Sequence, residues 1–156
     1  MSIIYGMERD EAQSFELWLP GKVESWKRNR VGRTGRQFRD AKGLAYRSEL
    51  SQAIHETFRG KLRAPVAVEM VFVFERPKTR PKEVPAEVWG LGVEVRRPTR
   101  GRDDIDRLQG NVLDGMKDAG VITDDGVVTD IFPRKVWAAR GEVAGLLLRV
   151  TEARWV

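Results

Sequence analysis

Residues 96–130 read RRPTRGRDDIDRLQGNVLDGMKDAGVITDDGVVTD, and this stretch decides how the rest of the chain is organised. Ile105, Leu108, Val112, Leu113 and Met116 fall at helical spacing, so an amphipathic helix is expected over about 104–119, ending at Gly120. Asp104 and Asp106 open that helix, and Asp124 and Asp125 follow once it has stopped. Arg96, Arg97, Arg100, Arg102 and Arg107 crowd the first acid pair. Carboxylate oxygens on a basic surface are what a hard divalent cation and a phosphodiester need together. The acids hold Mg²⁺ through oxygen and the arginines hold the polyanion. The competing reading is an N-capping Asp followed by a polar turn, both common in proteins.

Asp104 and Asp106 lie two apart, which in an ideal helix would point them roughly 200° from one another. At a helix start the first acid need not be helical, so both can converge on one ion, and the helix dipole favours their charged forms. Asp125 would return from the turn before the next strand to complete the group. The chemistry this suits is metal-assisted hydrolysis, with an activated water and charge neutralised on the transition state. The chain has one histidine and no cysteine, so Ser-His-Asp and Cys-His mechanisms have little material. That histidine, His55, sits in a helical pattern and reads as a helix-surface or partly packed residue.

At 156 residues the chain is expected to form one domain with a genuine core, after a loose leader over 1–14. No apolar run approaches the roughly 20 residues of a membrane span, so no membrane partner is expected. The first fifteen residues carry acids and no apolar h-region, which argues against a secretory signal. The absence of cysteine agrees with a cytoplasmic setting. Net charge is +5, and its distribution matters more than its total. Lys22, Lys27, Arg28, Arg30, Arg33, Arg36, Arg39, Lys42 and Arg47 are opposed only by Glu24 and Asp40, with Trp26, Phe38 and Tyr46 interleaved. The segment 21–42 reads as a basic arm that follows phosphates and offers aromatics to exposed bases.

FELWL (15–19) is a short strand closed by Pro20-Gly21. A helix from about Lys42 to Arg59 carries Tyr46, Leu50, Ala53, Ile54 and Phe58 on one face. PVAVEMVFVFE (65–75) is a strand whose second face is only partly wet. Residues 76–101, with Pro77, Pro81, Pro85 and Pro98, form a long excursion whose Val84, Trp89 and Leu91 suggest that it packs. VVTDIFPRKVWAA and EVAGLLLRVTE read as a hairpin across Arg140-Gly141.

These motifs resemble the RusA family of phage and prophage Holliday-junction resolvases. D-x-D-x-L-Q (104–109), a helix ending in D-A-G (118–120), D-D-x-x-V (124–128) and the closing strands carry the likeness, with Gly43-Leu44-Ala45-Tyr46-Arg47 opening the first helix. It extends from about 15 to 152; residues 76–101 stand as an insertion. The resemblance implies an α+β (mixed α/β) fold with a small mixed β-sheet and two main helices. It further implies a bacterial or phage-encoded, Mg²⁺- or Mn²⁺-dependent homodimer that nicks four-way junctions in pairs during recombination and repair. The family's catalytic, metal-holding acids map onto Asp104, Asp106 and Asp125.

Two positions depart from the family pattern D-x-D-N-x-x-K: Arg107 replaces the Asn and Gly110 the catalytically important Lys. Arg107, one turn before Gly110, could bind the scissile phosphate in that lysine's place. Lys117 shares that face but sits about 10 Å beyond Gly110 along the axis, too far to substitute for it, and Lys135 on the following strand is another candidate. The expected DNA contacts are Lys22, Lys27, Arg28, Arg30, Arg33, Arg36, Arg100, Arg102 and Lys135. Trp89, Leu91 and Trp137 offer apolar material for a dimer interface. The alternative function is a weak or inactive relative that binds junctions without cutting them.

Overall fold

The computed structural model describes residues 12–25, 30–31, 37–38, 41–97 and 104–153. Strand β1 (Ser14–Pro20) alternates buried Phe15, Leu17 and Leu19 with outward Glu16 and Trp18, the period of a strand packed on one face. Two short strands, β2 (Arg30–Val31) and β3 (Gln37–Phe38), pair antiparallel within the basic segment. Helix α1 (Ala41–Thr57) follows and buries Tyr46, Leu50 and Ile54. Strand β4 (Val66–Phe74) is buried on both faces over most of its length. Helix α2 (Ala86–Gly90) and strand β5 (Val95–Arg96) occupy the excursion. Helix α3 (Ile105–Asp118), strand β6 (Val128–Trp137) and strand β7 (Gly145–Glu152) complete the described order.

The main sheet runs β1-β7-β4-β6-β5, with β4 and β6 parallel and the other pairs antiparallel. The fold is therefore α+β with a mixed sheet, as expected. The expected hairpin of β6 and β7 does not form, because β4 lies between them. The physical reason is in the sequence of β4 itself: VAVEMVFVF buries both faces, and such a run belongs in the middle of a sheet. The connection from β6 therefore passes the end of β4 before β7 begins, with Ala138 N donating to Phe74 O at 2.8 Å.

The two long helices cover one face of this sheet. Leu50 and Ile54 of α1, Leu108, Val112 and Met116 of α3, and Val68, Met70, Phe72, Leu146, Leu148 and Val150 of the strands form one core. Gly115 permits the close approach of the helices, since a Cβ there would lie 3.1 Å from Leu50 Cδ2. At Gly145 a Cβ would overlap the Trp18 ring at 2.5 Å, so that position must stay bare for β1 to lie flat on β7. The strand β1 begins inside the expected leader, and Gln13 is tied to Glu152 through Glu152 N to Gln13 O at 2.9 Å and Gln13 N to Glu152 Oε1 at 3.1 Å.

The excursion packs, and Arg76 organises it. Its guanidinium lies 3.7 Å from the centre of the Trp89 ring and donates to Trp89 O at 2.8 Å and Val93 O at 2.9 Å. Trp89 meets Trp137 edge-on at 6.1 Å. Of the apolar residues expected to offer interface material, Trp137 is buried within the chain, whereas Leu91 is 71% exposed.

Candidate active site

Asp104 occupies the N-cap position of α3, yet its side chain makes no capping hydrogen bond. Its carbonyl instead accepts from Arg107 N and Leu108 N, each at 3.1 Å. Asp106 stands exposed in the first turn of the same helix. Among the described residues, neither carboxylate has a hydrogen-bond or ion-pair partner. The capping explanation thus leaves the Asp104 side chain unexplained. Both acids sit at the positive end of the helix dipole, which favours negative charge there.

The Asp124-Asp125 pair divides its work. Asp124 accepts the backbone N–H of Asp125 at 2.7 Å and so caps the short 3₁₀ turn at 125–127. Asp125 is left to face outward, and Lys117 Nζ comes to 3.4 Å from its Oδ1. The same ammonium lies 3.4 Å from Asp114 Oδ1. The Asp125 charge is the main cause that holds the Lys117 ammonium above its ordinary pKa, with partial burial opposing and hydrogen bonds to Asp114 and Asp125 assisting.

Asp106, Gly110 and Lys117 follow one another at spacings of four and seven, so they share a face of α3. About 16 Å of helix rise separates Asp106 from Lys117. The acid pair therefore marks the start of the helix, while Asp125 is drawn toward its second half. Among the described residues, no three acidic or histidine side chains stand close enough to hold a single metal ion. The donor chemistry itself suits a hard divalent cation, being oxygen throughout. Of the three acids, Asp125 alone is engaged by a described cation, Lys117.

Arg107 is exposed one residue beyond Asp106. Lys135 pairs in register with Phe72 and so belongs to the helix-bearing face of the sheet, and its carbonyl accepts from Arg97 N at 3.0 Å. Lys22 is 80% exposed at the root of the basic arm, 3.7 Å from Glu24. Arg30 is described only through its backbone in β2; Lys27, Arg28, Arg33, Arg36, Arg100 and Arg102 lie outside the described residues.

Asn111 escaped the sequence reading, and Arg47, counted there among the basic residues, has a structural role instead. Asn111 is fully buried on α3, and its Nδ2 donates to Glu24 O at 3.3 Å and Gly43 O at 3.2 Å. It ties the root of the basic arm and the first turn of α1 to the helix that carries the acid pair. An amide one position from Val112 and three from Leu108, on the apolar stripe, was the signal to follow. Arg47 clamps α1 to α3 through Asp118, with Nη2 to Oδ1 at 2.8 Å and a second bond from Nε to Oδ2, and reaches Asp114 at 3.6 Å. This bidentate bond chiefly holds the Asp118 carboxyl below its ordinary pKa and the Arg47 guanidinium above its own.

Residues 20–144 match the family model described as endodeoxyribonuclease RusA, a span that includes the basic arm, both long helices and all three candidate acids. No curated protein matches the sequence.

Proposed function

The chain belongs to the RusA family of endodeoxyribonucleases, which resolve Holliday junctions, and from that premise we propose that Asp104, Asp106 and Asp125 are its catalytic carboxylates. The enzyme is a phosphodiester hydrolase of a family that generally depends on a divalent metal. Mg²⁺ is the cation proposed here, with Mn²⁺ able to replace it. When bound, the ion supplies Lewis-acid stabilisation of the developing phosphorane charge and an activated water.

In this reading Asp104 and Asp106 hold the ion from the start of α3, and Asp125 joins them from the turn before β6. Arg107, next to Asp106 in the chain, binds the scissile phosphate through its planar fork. Lys22, Lys27, Arg28, Arg30, Arg33 and Arg36 follow the backbone of one arm of the junction, and Arg100, Arg102 and Lys135 flank the cut strand. Every such phosphate contact releases counterions, which makes binding salt-dependent. Paired nicks in a junction of near two-fold symmetry call for a C₂ homodimer with two identical sites. No described helix is long and apolar enough to cross a membrane, and the setting proposed is the bacterial cytoplasm.

The observation that carries this reading is the carboxylate of Asp104, which stands at the N-cap of α3 without a capping hydrogen bond and without a partner among the described residues. The test is a labelled four-way junction, a matched duplex and a Y-fork, each incubated with the protein and Mg²⁺ or EDTA. Symmetric nicks confined to the junction and abolished by EDTA are expected. Equal cutting of all three DNAs, or cutting that survives EDTA, overturns the assignment.

A further inference from the structure

We propose that Lys117 is a positioning residue whose ammonium holds Asp125 and competes with the divalent cation for it. This rests on the reading of Asp125 as a metal-holding acid. Lys117 Nζ stands between two carboxylates, 3.4 Å from Asp125 Oδ1 and 3.4 Å from Asp114 Oδ1. Asp114 lies 3.6 Å from the Arg47 guanidinium as well, so it stays in place whether or not Lys117 leans on it. An ammonium released by Asp125 therefore keeps a partner on its own helix, and the exchange leaves no charge unmatched.

The pair is also exposed enough to yield. The Lys117 side chain is 34% exposed and that of Asp125 52%. Ion pairs at such exposure change an equilibrium by a factor of about two to five and do not lock it. Lys117 thus sets how much cation is needed to capture Asp125. The face of α3 between Lys117 and Asp106 is clear at Gly110, where an added Cβ would meet nothing within 4 Å.

The experiment is Mn²⁺ binding to the full chain without DNA, read by electron paramagnetic resonance. Lys117→Met is expected to tighten Mn²⁺ binding about threefold, and Lys117→Arg, which keeps the charge, to restore the native affinity. In an Asp125→Asn background Lys117→Met should have no further effect, since the competition it removes no longer exists. Thermal unfolding of each variant confirms that folded protein is being compared. Unchanged or weaker binding in Lys117→Met, or tightening that persists with Asp125→Asn, overturns the role of Lys117. If Asp125→Asn alone leaves Mn²⁺ affinity untouched, the metal assignment of Asp125 falls and this inference falls with it.

Discussion

Gly110→Lys separates the stability of α3 from the chemistry at its face, and both effects can be sized from the structure. A Cβ at 110 has nothing within 4 Å, so the longer side chain enters open space. Replacing an interior helical glycine by lysine favours the helix by about 1 kcal/mol. Asp106, four residues earlier, adds about 0.3 kcal/mol as an acid placed N-terminal to a base. For a chain of this size the sum of about 1.3 kcal/mol corresponds to a rise in Tm of about 3–5 °C. The new ammonium also stands one turn beyond Asp106, on the same face as Lys117, where it can reach a phosphate bound beside the acid pair. Junction cleavage under single-turnover conditions should accelerate at least about tenfold, a barrier change of roughly 1.4 kcal/mol. Differential scanning calorimetry and a labelled junction measure the two effects independently. A Tm that falls would show that position 110 is not open. A Tm that rises while the rate stands still would show that the site does not need a cation there. A native protein without activity, awakened by this change, would identify the chain as a binding relative that has lost its lysine.

Asp104→Asn, Asp106→Asn and Asp125→Asn should each abolish cleavage while gel-shift affinity for the junction survives or tightens, because each removes a repulsive charge along with an oxygen donor; parallel losses in both assays would make these acids structural. Neutralising Lys27, Arg28 and Arg30 together should reduce the slope of log affinity against log salt by about 0.9 for every phosphate no longer neutralised, and an unchanged slope would place the arm away from DNA. Arg107→Ala should slow cleavage at least about tenfold with a milder effect on binding; normal cleavage combined with an inactive Lys135→Ala would move the required cation to β6. Arg47→Ala should lower stability by about 1 kcal/mol at neutral pH, a figure already reduced for the exposure of both side chains. Because the pair holds the Asp118 carboxyl below its ordinary 3.8, the contribution is present above that value and fades as pH falls through the lower folded-state value, so native and variant unfolding curves should converge in acid.

Much of the fold was legible because the chain states its periods clearly. Ile54 and Leu50 on α1, and Leu108, Val112 and Met116 on α3, recur at helical spacing and are the residues that fill the core. The expected helix ends differ from the observed ones by no more than two residues, and the glycine expected to stop α3, Gly120, has a φ of 77° just past its end. Strand pairing was less legible. Two strands joined by a short turn suggest a hairpin locally, but neither sequence says that a third strand will enter between them. That information lay in β4, whose Val71 and Val73 are buried along with its Val68 and Phe72, and only a strand flanked on both sides and covered on both faces satisfies such a sequence.

The site shows the same division between local and non-local information. That Asp104 and Asp106 open a helix could be read from a few residues; that Asp104 leaves its capping role empty could not, because capping depends on backbone angles that no single residue type fixes. Distance along the helix from Gly110 argues against Lys117 as a stand-in for a lysine there, but helix rise is the wrong measure of what Lys117 can reach. The turn before β6 brings Asp125 to Lys117, so a lysine in the second half of α3 joins an acid on a separate element. Asn111 makes the same point from the interior, since its two carbonyl partners, on Glu24 and Gly43, come from segments that only the tertiary fold places together. A buried amide on an apolar stripe must find such partners or cost stability, so its presence there already signalled a constraint, though not which backbone it would hold. The backbone it holds is the root of the basic arm. The residue that holds the root of the arm against the core thus belongs to the same helix as the acid pair.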